Sequence, residues 1–103
     1  RLAPALLSEA LRLVVARHEV LRARFVLDGQ NRPSLSILPE LDLPLRHEAL
    51  PQCGASALLD ARAREEMARP FDLESPPLVR ACLFDLPEQR SACVLTFHHI
   101  VLD

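Results

Sequence analysis

In the first stretch, RLAPALLSEALRLVVARHE, apolar residues recur at helical spacing: Leu6, Ala10, Leu13 and Val14 form a stripe, and Glu9 and Arg12 fall outside it. Pro4 stands near the start, where a missing N–H costs nothing, so the spacing predicts a helix from about Pro4 to His18. The period then changes from helical to two. In LRARFVL, Leu21, Ala23, Phe25 and Leu27 alternate with Arg22, Arg24 and Val26, the signature of a strand with one covered face. DGQNRP supplies a turn with Asp28-Gly29 as its hairpin signal, and SLSIL alternates as the return strand. Pro39, Pro44, Pro51 and Gly54 break the next stretch around one short possible strand in PLRHEAL.

A second helix is predicted from about Ser56 to Ala68, stopped by Pro70. Its stripe is Leu59, Ala63 and Met67, and Asp60/Arg64 and Glu65/Arg69 stand at helix-stabilising spacing. PFDLESPP reads as a turn-rich crossover. LVRACLFDL and SACVLTFHHI follow as two strands joined across PEQR, and the last is apolar on both faces, as a central strand of a covered sheet would be. The order α, β, β, short β, α, β, β predicts an α/β (α+β) domain in which a mixed sheet is covered by helices.

The 103 residues suffice for one core, with half of them apolar. All basic side chains are Arg, nearly balanced by Asp and Glu to a net charge of −2, so the footprint of a nucleic-acid binder is missing. Cys53, Cys82 and Cys93 are odd in number and lack CxxC spacing, which indicates neither a disulfide framework nor a zinc site and fits a reducing compartment. No apolar run approaches the roughly 18 residues of a membrane span, and the opening residues lack a basic-then-apolar pattern, so neither a span nor a signal sequence is expected. The expected location is the cytoplasm, in soluble form.

The chemistry concentrates in FHHIVLD, Phe97 to Asp103. In an extended strand His98 and His99 would point to opposite faces, which argues against a shared metal and for a division of labour. One imidazole would belong to the scaffold, and the other would project toward a ligand as a proton acceptor, with a nearby carboxylate pairing with an Arg. Periodicity does not say which histidine does which. By pattern alone, two histidines closing an apolar strand are more often satisfied structural groups than catalysts, and Arg17, His18, Glu19, Arg22 and Arg24 are more often a solvated surface.

Three segments taken together resemble one family. RHEVLRARF at 17–25, RPFDLESPPLVRACLF at 69–84 and FHHIVLD at 97–103 match, in order and spacing, the RHExLRxxF, PFDLxxxPLxRA and HHxxxDG motifs of nonribosomal peptide synthetase condensation domains, the last without its final glycine. The resemblance covers nearly the whole chain. It implies one lobe of a two-lobed fold similar to chloramphenicol acetyltransferase, with residues 1–103 forming the N-terminal lobe of a condensation domain truncated at both ends. The implied reaction is amide-bond formation between an acyl or peptidyl thioester on an upstream carrier protein and an aminoacyl amine on a downstream one.

Position by position, the resemblance makes His99 the catalytic residue, as general base or as the group that positions the amine. His98 becomes structural, and Asp103 forms a structural salt bridge, with Arg22 or Arg17 as partner and Arg22 preferred. No cofactor or metal is implied for the domain itself, because the phosphopantetheine belongs to the carriers. The partners implied are both peptidyl carrier proteins, the C-terminal lobe and the adjacent synthetase modules. Two other functions share these features: an epimerization domain, whose distinguishing carboxylate would lie in the other lobe, and a catalytically silent docking platform for carriers. A heterocyclization domain would replace the histidines by an aspartate-containing sequence.

Overall fold

The computed structural model describes residues 1–101. Helix α1 spans Pro4–Arg17, with Pro4 in the first turn, and is followed by a 3-10 turn over Glu19–Arg22. Strands β1 (Ala23–Leu27) and β2 (Pro33–Ile37) pair antiparallel, from Ala23 opposite Ile37 to Leu27 opposite Pro33. The loop between them is longer than a two-residue Asp-Gly turn. Asp28 organises it by accepting the Gln30 and Arg32 backbone N–H groups at 2.8 and 2.9 Å, and the left-handed residue is Asn31, at φ 60°, rather than Gly29.

Strand β3 (Leu45–Ala49) leads into α2 (Ala55–Ala68), which starts from Gly54 in the left-handed region at φ 79°, where a side chain would be strained. Helix α2 is the crossover that parallel strands require, and it returns the chain to β4 (Val79–Asp85), parallel to β3. Strand β5 (Ser91–Phe97) then pairs antiparallel with β4, giving the order β3-β4-β5, a mixed sheet as expected.

The sheet carries a helix on each face. Leu11 and Val15 of α1, with Leu21 and Leu43, pack on Val79 and Ala81. On the other face Cys82 and Phe84 meet Ala55, Leu58 and Leu59 of α2. Strand β4 is therefore the central strand, with five of its seven residues buried. The expectation that β5 is central is overturned: β5 ends the order of the described strands, and Cys93, Leu95 and Phe97 are exposed on one of its faces.

Two helix stripes also differ from expectation. The inward side of α1 is Leu7, Leu11 and Val15, whereas Leu6 and Leu13 are 70% and 50% exposed. This helix is apolar around most of its circumference, so two stripes about one residue step apart fit the same periodicity. On α2, Leu59 and Ala63 are half-buried but Met67 is 74% exposed, and the inward position at that end belongs to Glu66, only 4% exposed. The ion pairs of α2 run from Arg62 to Glu65 and Glu48 and from Arg69 to Glu66, not at the expected i, i+4 spacing.

Glu66 is buried because arginines surround it. Arg46 of β3 pairs with one carboxylate oxygen, Arg69 reaches the same oxygen at 3.2 Å, and Arg80 Nε of β4 lies 3.4 Å from the other. That last separation is an ion pair whose angle makes no hydrogen bond, and Arg80 Nε has no other partner among the described residues.

Two stability measurements check this packing. In urea unfolding of the 103-residue chain, Leu11→Ala is expected to cost about 2–4 kcal/mol and the exposed Leu13→Ala less than about 0.5 kcal/mol, and equal losses would return α1 to the other face. Glu66→Ala is expected to cost about 2–3 kcal/mol, below the roughly 3–5 of a fully buried pair, because Arg46 and Arg69 stay half-exposed and can rehydrate. Removing the exposed Arg46 alone is expected to cost under about 1 kcal/mol.

Candidate active site

Strand β5 stops at Phe97, and the ladder gains one more bond as the His98 backbone N–H donates to Leu78 O at 3.0 Å. The chain then tightens into a 3-10 turn over His99–Val101, closed by Val101 N–H donating to His98 O at 3.1 Å. The period-two premise therefore fails at the residues where it was applied. The imidazoles do not point to opposite faces but stack side by side, with centroids 4.5 Å apart and planes 25° from parallel.

The two rings nevertheless differ in how they are held. His98 is half-buried, and its Nδ1 accepts the Ile100 backbone N–H at 3.0 Å. A backbone N–H can only donate, so Nδ1 must offer a lone pair, and the neutral ring carries its proton on Nε2. The rings of Phe71 and His98 meet in a T-shaped arrangement, with centroids 5.9 Å apart and planes at 71°. His99 is exposed, and among the described residues no group hydrogen-bonds to its imidazole.

Behind the histidines stands a support built from the PFDL crossover and strand β4. Phe71 lies beneath the Arg80 guanidinium, 4.0 Å from carbon to ring centroid. Arg80 donates to Glu66 O at 2.6 Å and Arg69 O at 2.8 Å, carbonyls that the end of α2 leaves without helical partners, and to Pro70 O just beyond them at 3.2 Å. Burial pushes the Arg80 guanidinium down from its ordinary value, and Arg69 adds to that while Glu66 opposes it. The signal for these residues lies in PFDL and PLVRA, to which the residue pattern alone gives no physical role.

Arg22 has a parallel task at α1. It donates to Val15 O at 3.1 Å, Ala16 O at 3.3 Å and Leu38 O at 2.6 Å, joining the end of the helix to the end of β2. Arg17 is exposed in the last turn of α1, and Asp103 lies outside the described residues. The β1–β2 hairpin is tied to the PFDL segment through Phe25 N–H to Leu73 O at 2.9 Å and Arg24 Nε to Glu74 O at 3.1 Å. An open cleft of about 550 Å³ between β3 and α2 is lined by Arg46, Glu48, Arg62 and Glu66, and of the expected site residues none among those described borders it.

The three thiols are free, and burial pushes that of Cys82 up, away from the reactive thiolate. Among the described residues no three His, Cys, Asp or Glu side chains converge as metal ligands, and no helix is long and apolar enough to cross a membrane.

A family model described as Condensation domain matches residues 1–103. The phosphinothricin tripeptide synthetase PhsC of Streptomyces viridochromogenes is 40% identical over 98 residues, covering 92% of this chain and 9% of that protein. Malpibaldin synthetase of Mortierella alpina is 42% identical over 98 residues, covering 93% and 2%. The first condensation domain of the calcium-dependent antibiotic synthetase, solved with a substrate analogue, superposes with a TM-score of 0.85 at 32% identity, covering 96% of this chain and 25% of that one. The chain thus spans a quarter of that solved chain and less than a tenth of either synthetase. The mixed sheet with its two covering helices is the architecture of part of such a domain, and the chain belongs to the condensation-domain family.

Proposed function

We propose that this chain supplies the histidine-bearing lobe of an amide-forming condensation domain in a nonribosomal peptide synthetase, with His99 as its catalytic residue. The observation that carries the reading is the difference between the two imidazoles: His98 is half-buried and committed through Nδ1, whereas His99 stands exposed at the start of the turn.

The donor is an acyl or peptidyl thioester on the phosphopantetheine arm of an upstream carrier protein, and the acceptor is the amine of an aminoacyl group on a downstream carrier. The amine nitrogen attacks the thioester carbon, the C–N bond forms, and the C–S bond breaks as the tetrahedral intermediate collapses. His99 takes or holds the proton that the amine loses, and that proton ends on the departing thiolate. A thioester is already activated, so the remaining demand is proximity, alignment and exclusion of water. The domain needs no cofactor of its own for this.

In the same reading the C-terminal lobe closes the site from the opposite side, adjacent synthetase modules supply the carriers, and the work is done in the cytoplasm. Asp103 pairs with Arg22 or Arg17 to hold the loop, a structural role beside the carbonyls that Arg22 already satisfies. The 103-residue chain alone lacks the facing lobe and is inactive.

The test is acyl transfer between two loaded carriers, catalysed by the intact protein that carries this chain and followed by mass spectrometry of the downstream carrier. His99→Ala is expected to slow transfer by about 10²–10⁴-fold with an unchanged melting temperature, since the removed ring is exposed. Transfer at the parent rate would reject the catalytic assignment, and turnover by the 103-residue chain would reject the need for a second lobe.

A further inference from the structure

We infer that Phe71 is the positioning residue for the histidine pair, transmitting the rigid end of α2 to the His99 imidazole. Where it concerns rate, this rests on the reading of His99 as catalytic; where it concerns ring orientation, it stands on the geometry alone.

The contacts form an unbroken series. The His99 ring packs on His98 at 4.5 Å, and His98 is gripped on one edge by the Ile100 N–H and approached by the Phe71 ring at 5.9 Å. Phe71 cannot tilt freely, because the Arg80 guanidinium covers it at 4.0 Å. Arg80 cannot follow a tilting ring either, because three backbone carbonyls at the end of α2 hold its Nη atoms. The segment bearing Phe71 follows Pro70 directly and is fixed further along by Leu73 O, which accepts the Phe25 N–H from β1.

A half-buried phenylalanine in a turn-rich crossover would ordinarily be a packing residue. Here two contacts of its ring are directional: a cation over the face and an imidazole at a T-shaped angle. An aliphatic side chain of similar volume could fill the space, but it has no quadrupole with which to orient either neighbour. The aromatic requirement therefore distinguishes positioning from filling.

The experiment uses the intact protein carrying this chain, with histidine labelled at the ring nitrogens, and compares Phe71→Leu with Phe71→Tyr. In Phe71→Leu the His98 and His99 ring-nitrogen signals are expected to shift, and kcat for acyl transfer to fall roughly tenfold to a hundredfold with KM within about twofold. Phe71→Tyr, which keeps the ring, is expected to restore both. Unmoved His99 signals in Phe71→Leu would overturn the inference. So would an unchanged kcat in that variant while His99→Ala abolishes transfer. If His99→Ala itself leaves transfer intact, the proposed catalytic role falls, and the ring-nitrogen signals alone decide the positioning. Should Phe71→Leu fail to fold by circular dichroism, Phe71→Met, which keeps length without a ring, takes its place under the same outcomes.

Discussion

The structure around the histidines depends on one guanidinium. Arg80 projects from the central strand to the C-terminal end of α2, where orphan carbonyls carry the partial negative charge of the helix. Taking an arginine this far out of water is costly, and Glu66 with three carbonyls offsets that cost through charge-assisted hydrogen bonds and an ion pair. An apolar substitute of equal volume could give comparable stability, because buried ion pairs often only break even. It would not do the same job. A guanidinium ties helix α2, strand β4 and the Phe71 ring to one rigid plane, so the ionic cluster contributes specificity of geometry more than net stability.

Both helices end by the same device. The residue after α1, His18, and the residue after α2, Arg69, are extended, so neither helix closes with the left-handed glycine that commonly satisfies the last carbonyls. Each instead borrows a distant arginine: Arg22 for α1, from the far side of a 3-10 turn, and Arg80 for α2, from the next strand. A side-chain cap couples what a glycine cap would leave independent. Arg22 fastens α1 to β2, and Arg80 fastens α2 to the sheet and to the segment beneath His98.

Most elements were legible in the residue pattern because each carries a local signal. Pro4 and Pro70 bracket the helices, Asp28 organises the hairpin loop, and period-two alternation marks β1 and β2. Which face turns inward was less legible. Leu6 and Leu7 are adjacent and equally apolar, so only the tertiary partners, Leu21 and Val79 among them, choose the stripe of α1. The same limit hid Glu66, whose burial follows from arginines 20 residues before it and 14 after it. It also misplaced the central strand: β4 carries Arg80 and so looks half-polar, yet that arginine is turned onto a helix end rather than into water.

At the histidines the geometry replaces the premise on which the residue pattern rests. Alternation along a strand would separate the two rings, but β5 ends one residue too early for alternation to apply, and the 3-10 turn brings the rings into a stack. The asymmetry between them has another source. His98 sits where the backbone of the turn can reach its Nδ1 and where Phe71 can reach its ring, while His99 lies one residue beyond both. Such an arrangement orients the His99 ring through its face, and among the described residues neither of its nitrogens is hydrogen-bonded. A hydrogen bond from the protein to His99 would fix the ring more firmly but would occupy one of those nitrogens. Stacking is the weaker restraint, about 0.5–1.5 kcal/mol per aromatic contact, so its value as a restraint depends on the rigidity of what stands behind it. In this chain that backing is a phenylalanine clamped by an arginine that a helix end holds in place.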